Sequence, residues 1–124
     1  ENRFFQANKN IDTIKNILET GDVKNFIKIV ESEALSLHAM MMISSPSFIL
    51  MKPNTLSVID KVIKFRNNGS VPVCYTLDAG SNIHLLYPKK YINKIQTFIT
   101  NELLEFCQSD EFINDEVGIG AKKK

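Results

Sequence analysis

The residues whose types and spacing could do chemistry lie together in Tyr75-Thr76-Leu77-Asp78-Ala79-Gly80-Ser81-Asn82. A carboxylate closes a β-branched and aromatic run, and two small residues follow it directly. An acid at the end of a buried strand is held by a rigid backbone, and Ala79 and Gly80 beside it leave room for a ligand to approach. Such a carboxylate can orient a substrate hydroxyl or take its proton. The same residues also fit an ordinary hairpin turn in which Asp78 caps its own loop. Spacing alone favours the plainer reading.

Other reactive side chains form no comparable group. Cys74 and Cys107 stand far apart, with no CxxC pair and no cysteine–histidine cluster of metal-ligand spacing. They read as free thiols in a reducing, cytoplasmic setting. His38 and His84 share no spacing that suggests a metal, so no metal ligands are expected. His38 falls at the edge of an apolar helical stripe, where a packed, hydrogen-bonded histidine is the expectation. Ser32 and Ser36 share the opposite face and read as solvated hydroxyls, with a cleft lining as the alternative. Gly118 to Lys122 mimics part of a phosphate loop, but no strand is expected before it and no helix after it. Met40, Met41, Met42 and Met51 are expected to fill the core.

These residues need a scaffold, and the hydrophobic periodicity supplies one. Ile11, Ile14 and Leu18, with Phe4 and Phe5 before them, predict a first helix ending at Gly21. Asp22 is a natural N-cap for a second helix, whose stripe is Val23, Phe26, Ile27, Val30, Ala34, Leu37 and Met41. Phe48 to Met51 reads as a short buried strand. A third helix starts near Pro53, capped by Asn54 or Thr55, with Leu56, Ile59, Val62, Ile63 and Phe65 inward and Asn67-Asn68-Gly69 at its end. Val71 to Leu77 and Asn82 to Tyr87 predict a hairpin around residues 78–81. Pro88 opens a long helix with Tyr91, Ile92, Ile95, Phe98, Ile99, Leu103 and Phe106 inward. Lys89 and Lys90 give it a solvated start. A last strand is expected through Phe112-Ile113 towards Val117. From Phe48 onward the order is β-α-β-β-α-β, a ferredoxin-like split βαβ arrangement within an α+β class, with two additional N-terminal helices.

The chain has 124 residues, 44% hydrophobic and 23% charged, which suits one domain over residues 1–124 with a real core. Net charge is +1, and Lys122, Lys123 and Lys124 supply three of its 15 basic residues. A short lysine tail with no interleaved aromatic residues argues against nucleic acid as a partner. No apolar run approaches the roughly 18–20 residues of a membrane span, so no membrane partner is expected. The opening Asn2-Arg3-Phe4-Phe5-Gln6 reads as the middle of a helix, and the chain is expected to be part of something longer.

Several blocks in order carry a resemblance. Tyr75 to Asn82 resembles the Y-T-x-D-A-G-P-N signature of diphosphomevalonate decarboxylases, members of the GHMP kinase superfamily. Leu35-Ser36-Leu37-His38-Ala39 is similar to that family's helix ending in His-Ala. Pro46-Ser47-Phe48-Ile49-Leu50-Met51 resembles its P-P-x-x-Y-M run, and Gly118-Ile119-Gly120-Ala121 its G-x-G-P. The likeness covers nearly all of the chain. Ser81 stands where the signature has proline, Ser47 where the run has its second proline, and Leu50 where it has tyrosine.

The resemblance implies a GHMP kinase C-terminal domain that closes a cleft against an N-terminal ATP-binding domain. In that family the enzyme uses ATP and magnesium to phosphorylate the tertiary 3-hydroxyl of mevalonate 5-diphosphate. Loss of that phosphate with carbon dioxide gives isopentenyl diphosphate. Asp78 carries over as the catalytic aspartate beside the 3-hydroxyl, with Ala79 and Gly80 lining the substrate pocket. It also implies a homodimer as a candidate assembly. No glycine- or serine-rich phosphate loop occurs in this sequence, so no ATP-binding residues are expected in it and the chain alone should be inactive. The alternatives are a related phosphomevalonate decarboxylase or mevalonate kinase-like enzyme, or a non-catalytic ferredoxin-like binding module.

Overall fold

A computed structural model of the chain describes residues 2–120. Ala121 of the Gly118–Ala121 block and the lysine tail lie outside the described residues. Helix α1 spans Asn2–Thr20, α2 Val23–Met42 and α3 Pro53–Gly69. Strands β1 (Cys74–Thr76) and β2 (His84–Leu86) follow, and helix α4 (Ile92–Phe98) comes last. A 3₁₀ turn at Lys89–Tyr91 leads into α4, and a π turn at Ile99–Leu103 and a 3₁₀ turn at Leu104–Phe106 prolong it into one rod.

The first helix junction follows from local chemistry. Gly21 takes a left-handed φ of +70°, which costs glycine little. Its N–H and that of Asp22 both reach the Ile17 carbonyl, at 2.9 and 3.2 Å. The Asp22 carboxylate then accepts from the Asn25 N–H (3.1 Å) and side-chain amide (2.6 Å), capping α2. These bonds to Asn25 hold the Asp22 carboxyl below the usual range. At the end of α3 the left-handed residue is Ser70 (φ +50°), one position beyond the expected Asn-Asn-Gly stop.

The core gathers around β1. Both Cys74 and Tyr75 are buried. Successive strand residues face opposite sides, so this strand is covered on both. α2 and α3 pack on it, β2 pairs with it antiparallel, and α3 also meets the π turn after α4. The partners are Cys74–Leu86, Tyr75–Leu85 and Thr76–His84. Ala34, Ile59, Val62, Val71, Val73, Leu77, Ile95, Phe98, Ile99 and Leu103 complete the core. Phe65 stacks on Phe98 with ring centroids 4.0 Å apart. The fork of Arg66 ties three elements together. It donates to both Glu31 oxygens on α2, at 2.5 and 3.2 Å, and to the Val73 carbonyl at 2.8 Å.

The α+β class holds, with a smaller sheet than expected: two strands among the described residues. Phe48–Met51 forms no strand, and the Phe48 N–H donates back to the Met41 carbonyl at 3.2 Å. Phe48 and Ile49 are 46% and 69% exposed, and only Met51 reaches the core. The last expected strand is likewise absent, with Ile113 94% and Val117 fully exposed. Its apolar residues do not alternate, and Asp115 and Glu116 interrupt them, so no face exists to bury. Lys89 donates to Glu116 at 2.6 Å, an exposed contact with this segment. The long final helix appears where expected, with Ile99 and Leu103 of the π turn both buried in the core. Leu56 is exposed rather than inward, and Thr55 takes its place in the core. Met40 and Met42 are exposed, so the methionines are not all core filler.

Candidate active site

Leu77 is buried at the end of β1, and the chain turns outward at the next residue. The Asp78 side chain is 94% exposed. The turn closes tightly: the Gly80 N–H donates to the Asp78 carbonyl at 2.7 Å, a three-residue turn centred on Ala79. Ala79 is exposed and Gly80 half-buried. A Cβ added at Gly80 would meet nothing within 4 Å, so its outer side is open. The three residues singled out from the sequence therefore form one exposed edge.

The turn is fixed from behind. His38 Nε2 lies 3.0 Å from the Asp78 carbonyl oxygen. A carbonyl only accepts, so Nε2 must carry the proton. With Gly80 N–H on the other lone pair, both acceptor sites of this carbonyl are filled. At the far end, the Thr55 hydroxyl donates to the Ser81 carbonyl at 2.9 Å and accepts from the Lys52 N–H at 3.1 Å. Lys52, not Asn54 or Thr55, occupies the N-cap position of α3. Thr55 caps the helix from inside its first turn.

One imidazole neighbours the acid. His84 Nε2 on β2 is 3.9 Å from Asp78 Oδ2, both side chains exposed, and it is the cationic candidate within 4 Å of Asp78 among the described residues. Strand pairing places it, because His84 sits opposite Thr76 and the turn folds back between them. Asp78 is thus neither buried nor locked into a close salt link. A depression of about 560 Å³ lies between α3 and the α4 rod around Lys61, Lys64 and Glu102. It shares no residue with the turn.

His38 is fully packed, as its place in the stripe suggested. Ser32 is exposed and Ser36 half-buried, and neither approaches the turn through a hydrogen bond among the described residues. Burial, reinforced by Glu31 and opposed by Arg66, pushes the Cys74 thiol up to about 12, and burial also raises Cys107. Both thiols are free and neither is activated. Among the described residues no three His, Cys, Asp or Glu side chains converge as metal ligands, and no helix is long and apolar enough to cross a membrane. The positions that reading the sequence missed are Thr55 and His84. Thr55 announced itself only as a cap, and His84 becomes a neighbour of Asp78 only once the hairpin register is known.

The chain as a whole is similar to known proteins. Residues 3–123 match the family model described as the mevalonate 5-diphosphate decarboxylase C-terminal domain. A phosphomevalonate decarboxylase of Haloferax volcanii is 24% identical over 99 residues, covering 80% of this chain and 31% of that protein. Among solved structures, a mevalonate diphosphate decarboxylase from Legionella pneumophila superposes with a TM-score of 0.76 at 28% identity, covering 83% of this chain and 33% of that one. The Enterococcus faecalis enzyme gives 0.72 at 26% identity, covering 80% and 32%. A further structure, a complex with MVAPP, AMPPCP and magnesium, gives 0.74 at 25% identity over 83% and 33%. The chain spans about a third of the length of these relatives. With a family model matched along nearly its whole length, the chain belongs to the mevalonate 5-diphosphate decarboxylase C-terminal domain family.

Proposed function

We propose that this chain is the C-terminal domain of an ATP-dependent decarboxylase that converts mevalonate 5-diphosphate to isopentenyl diphosphate, ADP, phosphate and carbon dioxide. The observation that carries the reading is Asp78, an exposed carboxylate on a turn whose backbone is fixed at both ends. In this reading Ala79 and Gly80 line the substrate's approach, and their small side chains keep it open.

The step assigned to Asp78 is local. The tertiary 3-hydroxyl of the substrate donates a hydrogen bond to the carboxylate, which orients the oxygen and accepts its proton as the O–P bond forms. The γ-phosphate of ATP transfers and the bond to the β-phosphate breaks, releasing ADP. The C–O bond to the new phosphate then breaks. The electron pair of the C–C bond to the carboxylate becomes the double bond, and carbon dioxide leaves. A tertiary centre tolerates the positive charge that develops between these two cleavages.

The residues present do not fit a site for ATP and magnesium: no glycine-rich phosphate loop occurs, and no metal-ligand cluster forms among the described residues. No residue here is therefore assigned to either. On this reading a second, ATP-binding domain of the protein holds them and closes over the Asp78 edge. Support for ATP and magnesium in the whole enzyme comes from the related complex with AMPPCP and magnesium.

The Haloferax relative favours a second reading, in which the substrate is mevalonate 5-phosphate. Assaying the intact protein with ATP and each substrate separates the two. The first reading expects turnover of the diphosphate, with carbon dioxide and ADP formed in equal amounts. Preference for the monophosphate would install the second. ADP formed without carbon dioxide would reduce the protein to a kinase, and no reaction with either would refute both.

A further inference from the structure

We infer that His38 and Thr55 are positioning residues for Asp78, which they act on through the backbone of its turn; the inference rests on the catalytic role proposed for that acid. Among the described residues they are the two buried polar side chains, 2% and 4% exposed. Burying a polar group costs stability unless it is hydrogen-bonded. Both donate to this one turn, His38 to the Asp78 carbonyl and Thr55 to the Ser81 carbonyl, while the Thr55 oxygen also accepts from the Lys52 N–H. Neighbours of His38 on α2 include Ala34 one turn earlier, and neighbours of Thr55 on α3 include Ile59 one turn later, both in the core.

The need for such pins follows from the exposure of the acid. The Asp78 side chain has no close protein partner to hold its rotamer, so its reach is set by its Cα. That atom is fixed by the buried Leu77 on one side and by a peptide plane whose carbonyl is doubly bonded on the other. Releasing one pin lets the plane tilt, and a displacement of about 1 Å at reacting groups costs about 10²-fold in rate. The loss falls on kcat, because the turn grips the reacting hydroxyl and not the phosphates that dominate binding.

The test compares His38→Leu with His38→Gln, and Thr55→Val with Thr55→Ser, in the intact protein with ATP and mevalonate 5-diphosphate. Glutamine and serine keep a donor; leucine and valine do not. Val62→Ala is the control for a merely loosened core, since Val62 is fully buried and touches no part of the turn's hydrogen bonding. The expected result is a fall in kcat of about 10- to 100-fold for His38→Leu, with KM for ATP unchanged. His38→Gln and Thr55→Ser recover most of the rate. Val62→Ala, assayed well below its melting point, keeps kcat. Amide exchange at Ala79, Gly80 and Ser81 should quicken in the leucine and valine variants and recover with the donors restored. Should the leucine variant fail to fold, the threonine pair carries the same comparison.

Wild-type kcat in folded His38→Leu or Thr55→Val, or no rescue by the donor-keeping residues, would overturn the inference. Asp78→Asn run alongside separates this from the reading it rests on. If that variant turns over normally, the catalytic assignment has failed, and the exchange data alone decide whether the two residues pin the turn.

Discussion

Helix α1 and the β1-centred core are both rich in apolar residues, yet they bury them to opposite extents. Around β1, Val62, Val73 and Ile95 are fully enclosed. Among the described residues of α1 only Ile17 is buried, while Phe4, Phe5, Ile11 and Leu18 stand 80%, 71%, 50% and 65% exposed. The helix lies on α2 through a different face. Arg3 pairs with Glu33 through both guanidinium nitrogens, and Asn10 donates to the same carboxylate at 2.5 Å. An apolar stripe thus makes a helix without deciding which side of it meets the protein. Here the face that carries the Arg3–Glu33 ion pair is the one that meets α2. The turn bearing Asp78 hangs from the core half, through His38 on α2 and Thr55 on α3.

The sharpest way to break this contrast is to truncate matched side chains in the two regions. Ile95→Ala should cost roughly 2–5 kcal/mol, the range for a large buried aliphatic side chain. Leu18→Ala should stay within about 0.5 kcal/mol, as exposed substitutions do. Urea unfolding followed by circular dichroism measures both. Equal losses would show that α1 belongs to the same cooperative unit through its outer face. Arg66→Met comes next. It strands a mostly buried Glu31 carboxylate and leaves the Val73 carbonyl without that donor, at about 1–3 kcal/mol. A loss below 0.5 kcal/mol would mean that water replaces the fork without penalty.

The smallest effect is a pH dependence confined to α1. Hydrogen bonding from Arg3, with help from Asn10, holds the Glu33 carboxyl below its usual 4.5. A folded-state value below the unfolded one contributes stability that is present above the unfolded value and lost as pH falls through the folded one. Amide protection in α1 should therefore decline on acidification below about pH 4.5, while amides of α3 and β1 hold. Glu33→Gln should flatten that decline. If protection across α1 and the core falls together, the clamp is not what separates them.

How much of this was readable from residue order depended on whether the cause was local. Gly21 and Asp22 mark a helix junction through their own backbone and side-chain chemistry, and both act as their types suggest. The hairpin around Asp78 and the inward residues of α4 followed from apolar spacing. Phe48–Met51 and Phe112–Val117 did not become strands, because a strand needs a neighbour with free backbone groups and composition does not reveal one. Leu56 and Thr55 exchanged places for the same reason. Thr55 is drawn inward by the Ser81 carbonyl, 26 positions away. The candidate acid was visible as a motif and His38 as a packed histidine, whereas the bonds of His38 and Thr55 to the turn became legible only in three dimensions.

Placing Asp78 in the chemistry makes a claim that one measurement can strike directly. Single-turnover formation of ADP from ATP and mevalonate 5-diphosphate, with Asp78→Asn beside the wild type, isolates the phosphoryl-transfer step from binding and release. Asparagine keeps the size of an exposed side chain, so melting temperature should not change. The account predicts a rate lower by about 10²- to 10⁴-fold, the span expected when a positioned proton acceptor is lost, with substrate affinity retained. A variant that forms ADP at the wild-type rate would contradict it.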